Sequence, residues 1–169
     1  MIQPNTVDQA IIREQISRSL VMAANALKPM QIDTIAEDDF ASLRPSIHTG
    51  FCYQNSLVSA IQLGARGVVL GAALVSIGPH TWPVEHAWVW LDDDRYCDPT
   101  YQLLNEQSDA QSGCLYYGLI QVTLDEYLSM ATRVGKNGCH YLAQDVLYFR
   151  RSEQYRHLFK ITTMSDATA

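Results

Sequence analysis

The chain has 169 residues, of which 47% are hydrophobic and 18% are charged. This composition predicts one soluble globular domain over residues 1–169 with its own hydrophobic core. The net charge of -6 and the scattered Lys and Arg residues exclude nucleic acid as an expected partner. Membrane insertion is excluded because the longest apolar run, residues 67–77, is too short to span a bilayer as a helix.

The N-terminus has neither the basic nor the apolar region of a secretory signal. We therefore expect a protein that is cytoplasmic where it is made, with export or delivery that needs no signal left open. The four cysteines are Cys52, Cys97, Cys114 and Cys139, and no two form a Cys-x-x-Cys pair. A chain of this size does not need a disulfide framework, so we expect reduced thiols. None of these cysteines has the ligand spacing of a zinc site, and no metal is predicted.

The first third of the chain is predicted to be helical. Residues 6–27 begin with a capping box and continue with helical hydrophobic spacing, which predicts an amphipathic helix. Residues 33–43 predict a short acidic helix, and residues 44–50 an irregular segment. A second apolar helix is expected to begin at Thr49 as N-cap and to end at Gly64. Cys52 would then lie in its first turn.

Strands follow in the middle of the chain. Residues 67–77 are apolar and β-branched, which predicts a central strand of a sheet. Residues 78–84 are expected to form a loop, and residues 85–91 a strand in which His86, Trp88 and Trp90 share one face.

The register of the next hairpin determines whether the side chains of His86 and Asp98 can contact each other. If Asp92–Asp94 is a three-residue loop, Trp88 pairs with Asp98 in the next strand, residues 95–98, and His86 becomes the diagonal neighbour of Asp98 on the same face. Diagonal Cβ atoms lie at roughly 7–8 Å, within reach of a ring and a carboxylate. A two-residue loop would place them on opposite faces.

The last third is predicted from weaker patterns. Residues 115–122 predict a strand, and a capping box at residue 123 opens a helix to about residue 134. Residues 141–150 fit either strand or helix. A short helix is expected over residues 152–160 and a frayed tail over residues 165–169.

Three separated segments carry a family resemblance. They are Gly50-Phe51-Cys52-Tyr53-Gln54-Asn55-Ser56, then His86-Ala87-Trp88-Val89-Trp90, then Cys97-Asp98-Pro99-Thr100-Tyr101. Residues 50–101 thereby resemble the core of the transglutaminase-like branch of the papain-fold cysteine enzymes. The resemblance covers under a third of the chain. It implies an α+β fold in which the helix of the nucleophile packs on an antiparallel sheet, here with additional N- and C-terminal helices.

The resemblance also implies a catalytic triad and acyl transfer from an amide without metal or organic cofactor. Cys52 would be the nucleophile, His86 the general base, and Asp98 the group that orients the imidazole. A structural interpretation stands beside each role. Cys52 fits a small core residue, His86 a core histidine among tryptophans, and Asp98 the turn chemistry of an Asp that precedes a Pro. His48 is a rival base to which the sequence assigns no orienting carboxylate.

The sequence also offers candidates for substrate binding and for the oxyanion donor. Tyr53, His80 and Trp82 are candidate substrate-binding residues, although His80 and Trp82 fit equally well as a cap on the sheet. No Trp or Gln stands shortly before Cys52 to supply an oxyanion donor, so backbone N–H groups at Cys52 are expected to do so.

The predicted function is that of a thiol enzyme acting on a protein or peptide substrate that bears an amide, as a protein glutamine deamidase or a thiol peptidase or amidase. The alternatives are a protein-crosslinking transglutaminase and a non-catalytic binding module on the same fold. A metal protein is a third option.

Overall fold

The computed structural model describes residues 6–77, 80–107, 114–136 and 146–159. Its helices are α1 (Thr6–Leu20), α2 (Glu37–Leu43), α3 (Cys52–Gln62), α4 (Pro99–Gln107), α5 (Leu124–Lys136) and α6 (Val146–Arg151). Its strands are β1 (Lys28–Met30), β2 (Gly67–Ile77), β3 (His80–Trp90), β4 (Tyr96–Cys97) and β5 (Leu115–Thr123). Single 3-10 turns lie at Arg44–Ser46, Asp92–Asp94 and Arg156–Phe159.

The strands form one antiparallel sheet in the order β1-β5-β2-β3-β4. The prediction of a central strand over residues 67–77 is confirmed, because β2 lies between β5 and β3. A β-bulge interrupts the pairing of β2 with β5 at Leu70 and Gly71. Gly71 is required there, since a Cβ would collide with the backbone of Tyr117. With helices on the sheet, the α+β class is confirmed.

The two faces of the sheet carry different residues. One face packs against the helices, and its core includes Leu70, Leu74, Ala87 and Val89 together with residues of α1, α3 and α5. The other face, which we call the aromatic face, is built around Val69, Ala73, Trp88 and Tyr116, with Val84, Trp90, Tyr96 and Tyr101 packed against them. His86 lies on the aromatic face, because it alternates with Trp88 along β3.

The hairpin between β3 and β4 has the predicted register. Asp92–Asp94 forms the connecting turn, and Leu91 donates its N–H to the carbonyl of Arg95 at 2.8 Å. Val89 is paired with Cys97. The three-residue loop is therefore confirmed, and the position after β4 lies on the same side of the sheet as His86.

The predicted length of the first helix is wrong. Helix α1 ends at Leu20, not at residue 27, because Val21 adopts a left-handed conformation with φ of 55°. The chain then turns toward the C-terminal region, where Ala23 donates its N–H to the carbonyl of Leu158 at 2.7 Å. A long-range backbone bond thus overrides the local helical pattern.

The predicted start of the second helix is also wrong. Gly50 has a φ of 83°, which turns the chain between Thr49 and the helix. Phe51 is the N-cap of α3 and forms no side-chain capping bond, so Cys52 is the first helical residue. Gly64, with φ of 60°, follows the end of α3 as predicted.

The loop predicted over residues 78–84 is replaced by strand from His80 onward. Pro83 is tolerated inside β3 because of its direction. Residues separated by an even number along a strand direct their N–H groups to the same neighbouring strand. Leu91 directs its N–H toward β4, so the position of Pro83, which has no N–H, faces that same edge. Among the described residues β4 pairs only with Val89 and Trp90, which leaves that edge unpaired at Pro83.

Two elements were not predicted, namely β1 and α4. Helix α4 begins at Pro99, where the sequence indicated only the end of a strand. Proline suits the first position of a helix, since the missing N–H would have no partner there. Asp98 thereby becomes the N-cap of α4.

The strand over residues 115–122 and the helix that follows it are confirmed, whereas the short helix predicted over residues 152–160 is wrong. Thr123 and Glu126 form the predicted capping box, with Thr123 N–H bonded to Glu126 Oε2 at 3.0 Å, and α5 continues to Lys136. Residues 146–151 are helical, and residues 156–159 form only a 3-10 turn. The expectations for residues 141–145, 160 and 165–169 fall outside the described residues. Within the four described ranges, no helix has the length and apolar character needed to cross a bilayer.

Candidate active site

Asp98 is fixed by the start of helix α4. Its Oδ1 accepts the backbone N–H groups of Thr100 at 3.0 Å and Tyr101 at 3.2 Å, which is the bonding of an N-cap carboxylate. The positive end of the helix dipole favours the carboxylate charge. The turn interpretation of Asp98 is thus correct for one oxygen, while the second oxygen is free to serve another group.

That second oxygen holds His86. Asp98 Oδ2 lies 2.6 Å from His86 Nε2, and the two side chains are only 2% and 5% exposed. With Nε2 committed to the carboxylate, Nδ1 is the ring nitrogen left for another partner. The predicted meeting of His86 and Asp98 across the hairpin is present in the structure.

The second group that acts on the imidazole is Cys52, whose side chain lies close enough to His86 to raise its pKa through a hydrogen bond and through charge. Its thiol is half-buried at the first position of α3. The side chain of Phe51 accepts no hydrogen bond from the first turn of α3, the turn that begins with Cys52. It therefore leaves the N–H groups of this turn uncapped. The structure therefore brings together all three predicted triad residues.

The surroundings of His86 favour its protonated form. Burial alone would lower the pKa of His86, but the charge and hydrogen bond of Asp98 and the hydrogen bond of Cys52 outweigh it, and the pKa is raised to about 10. A protonated His86, held by the carboxylate of Asp98 beside the Cys52 sulfur, is thus the favoured state near neutral pH.

Aromatic rings enclose the imidazole on the aromatic face. Tyr101 meets it edge-on with ring centroids 4.9 Å apart, and Trp88 stacks at 6.1 Å. Tyr116 donates its hydroxyl to Asp98 Oδ2 at 2.7 Å. The sequence analysis missed Tyr101 and Tyr116. Tyr101 stands in the quoted Asp-Pro-Thr-Tyr segment, whereas no local pattern singles out Tyr116.

Asn55 was also missed, and it connects the two helices that carry the triad. Its Nδ2 donates to the backbone carbonyl of His48 at 2.7 Å and to Thr100 Oγ1 at 2.9 Å, and its Oδ1 accepts the N–H of His48 at 3.0 Å. Asn55 is fully buried. It thereby joins the helix of Cys52 to the helix capped by Asp98.

The rival base His48 is placed differently from His86. Its ring meets Phe51 edge-on, with centroids 6.4 Å apart. Within the part of the chain that the structure describes, its ring has no carboxylate partner. His48 therefore contributes backbone contacts to Asn55 and lacks the orienting group of a catalytic base.

The three candidate substrate-binding residues lie apart from one another. Tyr53 packs into the core on the helical face, and burial raises its pKa. His80 and Trp82 are exposed near the start of β3, with ring centroids 6.4 Å apart. Trp82 shares the face of His86, at about 13 Å along the strand. Their role in substrate binding stays a prediction.

The remaining described cysteines differ from Cys52 in their surroundings. Burial raises the pKa of Cys97 to about 12 and that of Cys114 to about 11. Both carry reduced thiols, and Cys139 lies outside the described residues. Among the described residues, no group of three or more His, Cys, Asp or Glu side chains is arranged to hold a metal ion.

No family model matches the chain, and neither the curated proteins nor the solved structures give a match. The resemblance of residues 50–101 to transglutaminase-like enzymes therefore stays a prediction. The function is inferred below from the geometry of Cys52, His86 and Asp98.

Proposed function

We propose that this protein is a cysteine-dependent acyl-transfer enzyme that acts on an amide of a protein or peptide substrate. The observation that carries the proposal is a buried His86 held through Nε2 by Asp98, with the Cys52 side chain as its other partner. A merely structural histidine does not need a thiol and a carboxylate on opposite sides of its ring. Such an arrangement is the requirement for nucleophilic catalysis by a thiol.

In the first step, the Cys52 sulfur attacks the amide carbonyl carbon as a thiolate, because the proton shared by the pair already resides on His86. A C–S bond forms, and the carbonyl π electrons move onto the oxygen. The N–H groups in the first turn of α3, which Phe51 does not cap with its side chain, are the donors that would stabilise this oxyanion. Asp98 compensates the positive charge on His86 throughout the step.

In the second step, the tetrahedral intermediate collapses and the C–N bond breaks. The proton held by His86 passes to the leaving nitrogen, so that ammonia or an amine departs and a thioester remains on Cys52. Water then attacks the thioester carbon and gives a proton to His86. The C–S bond breaks, the acid is released, and the sulfur is left as the thiolate beside the protonated His86, which restores the starting state.

The group that resolves the thioester determines the class of reaction. Water yields deamidation of a glutamine or cleavage of a peptide or amide bond, and an amine yields protein cross-linking. We propose hydrolysis, with cross-linking as the alternative outcome of the same chemistry.

The test is an intact-mass assay on candidate proteins and peptides rich in exposed glutamine, with the wild type and Cys52→Ser compared. Deamidation gives the mass gain of an amide-to-acid conversion with release of ammonia, proteolysis gives fragments, and transamidation gives an adduct of an added primary amine. Cys52→Ser should abolish all three products, and Cys139→Ala should control for the loss of a thiol elsewhere in the sequence. Full turnover by Cys52→Ser would contradict the proposal.

A non-catalytic binding module would behave differently in this assay. Its partner would be retained by the wild type and by Cys52→Ser with equal affinity, and neither protein would produce a mass change. His86→Ala would then also leave the affinity for the partner unchanged.

A further inference from the structure

The carboxylate of Asp98 has all of its acceptor positions filled. Oδ1 accepts the N–H groups of Thr100 and Tyr101, while Oδ2 lies 2.6 Å from His86 Nε2 and accepts the hydroxyl of Tyr116 at 2.7 Å. A carboxylate offers about four such positions. The Tyr116 hydroxyl and the His86 ring therefore share one oxygen.

Packing holds Tyr116 in place independently of this bond. The residue lies on β5, opposite Ala73 of β2, and is 8% exposed. Its ring meets Trp88 edge-on with centroids 5.3 Å apart, and the His86 ring at 6.1 Å. Burial and the neighbouring Asp98 charge raise the pKa of Tyr116, so its hydroxyl remains a neutral donor.

We propose that Tyr116 is a positioning residue, which fixes the shared oxygen of Asp98 and limits the charge that this oxygen offers to His86. This inference rests on the proposed function, in which His86 must both take and release a proton. An oxygen with a single donor would bind the imidazolium more strongly and would slow the release of the proton to the leaving nitrogen.

The other polar groups around His86 are few. Cys52 approaches from α3, Asp98 from the segment before α4, and Tyr101 from α4 itself. Cys114, just before β5, lies beside Tyr101 and Tyr116. Tyr116 is the residue of this group that contacts the same carboxylate oxygen as the imidazole.

The first test compares Tyr116→Phe with Tyr117→Phe in the full chain. Tyr117 is the next residue on β5 and is also buried, but it packs into the core on the helical face. Tyr116→Phe should lower kcat/KM by about 10-fold to 100-fold, the effect of losing a hydrogen bond to a charged group. Tyr117→Phe should leave kcat/KM unchanged.

The second readout separates positioning from structural support and does not require turnover. In Tyr116→Phe, the proton resonance of the His86 Nε2–H group should move downfield, and the pKa of His86 from ring nitrogen shifts should rise. In Tyr117→Phe neither should change. An unaltered His86 resonance and pKa in a folded Tyr116→Phe would overturn the inference, whatever the substrate turns out to be.

Replacement of Tyr116 by 3-fluorotyrosine covers the case in which Tyr116→Phe does not fold. Fluorine makes the phenol a stronger donor while keeping the hydroxyl, so the His86 resonance should move upfield. A downfield shift or no shift would contradict the inference. Failure of the proposed function would instead show as turnover by Cys52→Ser, or as the absence of turnover by the wild type, and would leave these NMR results intact.

Discussion

Helices α3 and α4 each have one residue of the triad at their start, but they differ in whether a side chain caps the backbone N–H groups of the first turn. At α4, Asp98 caps the helix and its carboxylate is saturated by hydrogen bonds. At α3, the N-cap residue Phe51 forms no side-chain capping bond, and Cys52 stands at the first position. The comparison teaches that one helix start serves to hold a charge in place, whereas the other leaves its donors for a ligand.

His86 lies between these two helix starts, and Asn55 joins them. The imidazole is bonded to the carboxylate at the capped helix, and the Cys52 side chain at the uncapped helix lies beside it. The bond from Asn55 to Thr100 spans 45 residues of sequence. The geometry of the triad therefore depends on the distance between two helix ends.

The largest effect is expected at the capped end, where Asp98→Ala and Asp98→Asn separate two roles of the carboxylate. Asp98→Ala should lower activity by about a thousandfold or more and the free energy of unfolding by about 3–5 kcal/mol, because the buried His86 loses its partner. In Asp98→Asn, the two N–H donors of α4 should hold the amide oxygen, so stability should fall less.

Asp98→Asn should nevertheless lose most of the activity. With its oxygen held by α4, its amide N–H groups face His86 Nε2 and favour the tautomer with a proton on Nδ1, toward Cys52. Activity assays and denaturant unfolding on both variants check this separation. Equal free energies of unfolding for Asp98→Ala and Asp98→Asn would show that the cap of α4 does not contribute to stability.

The next effect concerns the connection between the helix ends. Asn55→Ala should lower the free energy of unfolding by about 2–4 kcal/mol, since the buried Thr100 hydroxyl and the backbone of His48 lose their partner. Activity should fall as well, because Cys52 and Asp98 are no longer held at a fixed distance.

Gln102→Ala is the matched control for this variant. Gln102 of α4 also makes two bonds to backbone, but to Ile35, away from the α3 helix. It should lower thermal stability in a melting experiment while leaving kcat unchanged. An equal loss of kcat in both variants would remove the special role of Asn55.

A smaller effect is expected from pH. It compares how strongly Asp98 and Cys52, the residues at the two helix starts, raise the pKa of His86. The pKa of His86 is raised to about 10 in the folded protein, above its ordinary value. The contribution of protonated His86 to the free energy of unfolding should therefore be complete below about pH 6.5 and should be lost as the pH rises through the raised pKa. The free energy of unfolding should fall by about 1.4 kcal/mol per pH unit at most.

Because the Asp98 interactions exceed those of Cys52, Asp98→Asn should flatten this pH dependence more than Cys52→Ser. Urea unfolding of the wild type and both variants between pH 6 and 10 provides the measurement. The reverse order would mean that the uncapped helix end controls the charge of His86.

The smallest effect is expected from capping α3. Phe51→Asp places an acceptor at the N-cap, which should raise stability by up to about 1 kcal/mol. The new carboxylate competes for the first-turn N–H groups and adds negative charge beside the thiol, so alkylation of Cys52 should slow. Phe51→Ala controls for loss of the exposed ring. Faster alkylation in Phe51→Asp than in Phe51→Ala would contradict the role given to the uncapped turn.

Local patterns were sufficient to predict much of the sheet and half of the site. The apolar run of β2 indicates a strand covered on both sides, and the acidic turn at Asp92–Asp94 sets the register that brings His86 to Asp98. The capping box at Thr123 likewise depends only on neighbours in sequence. In each of these cases the deciding contacts lie within a few residues.

The missed features depend on distant partners or on ambiguous local patterns. Tyr116 bonds to a residue 18 positions away, and the bulge in β5 that sets its register has no sequence signature. Helix α1 ends early because Ala23 bonds to Leu158. Asp98 followed by proline suits a strand end and a helix start equally well, so α4 was not predicted.

The central claim is that the triad makes Cys52 the reactive thiol of this protein, and alkylation kinetics test it most directly. The wild type is treated with limiting iodoacetamide near neutral pH, and each cysteine peptide is quantified over time. Cys52 should be modified far faster than Cys97 and Cys114, whose raised pKa values keep them protonated. His86→Gln should abolish this preference. Equal rates at all cysteines in the wild type, or an unchanged preference in His86→Gln, would contradict the account.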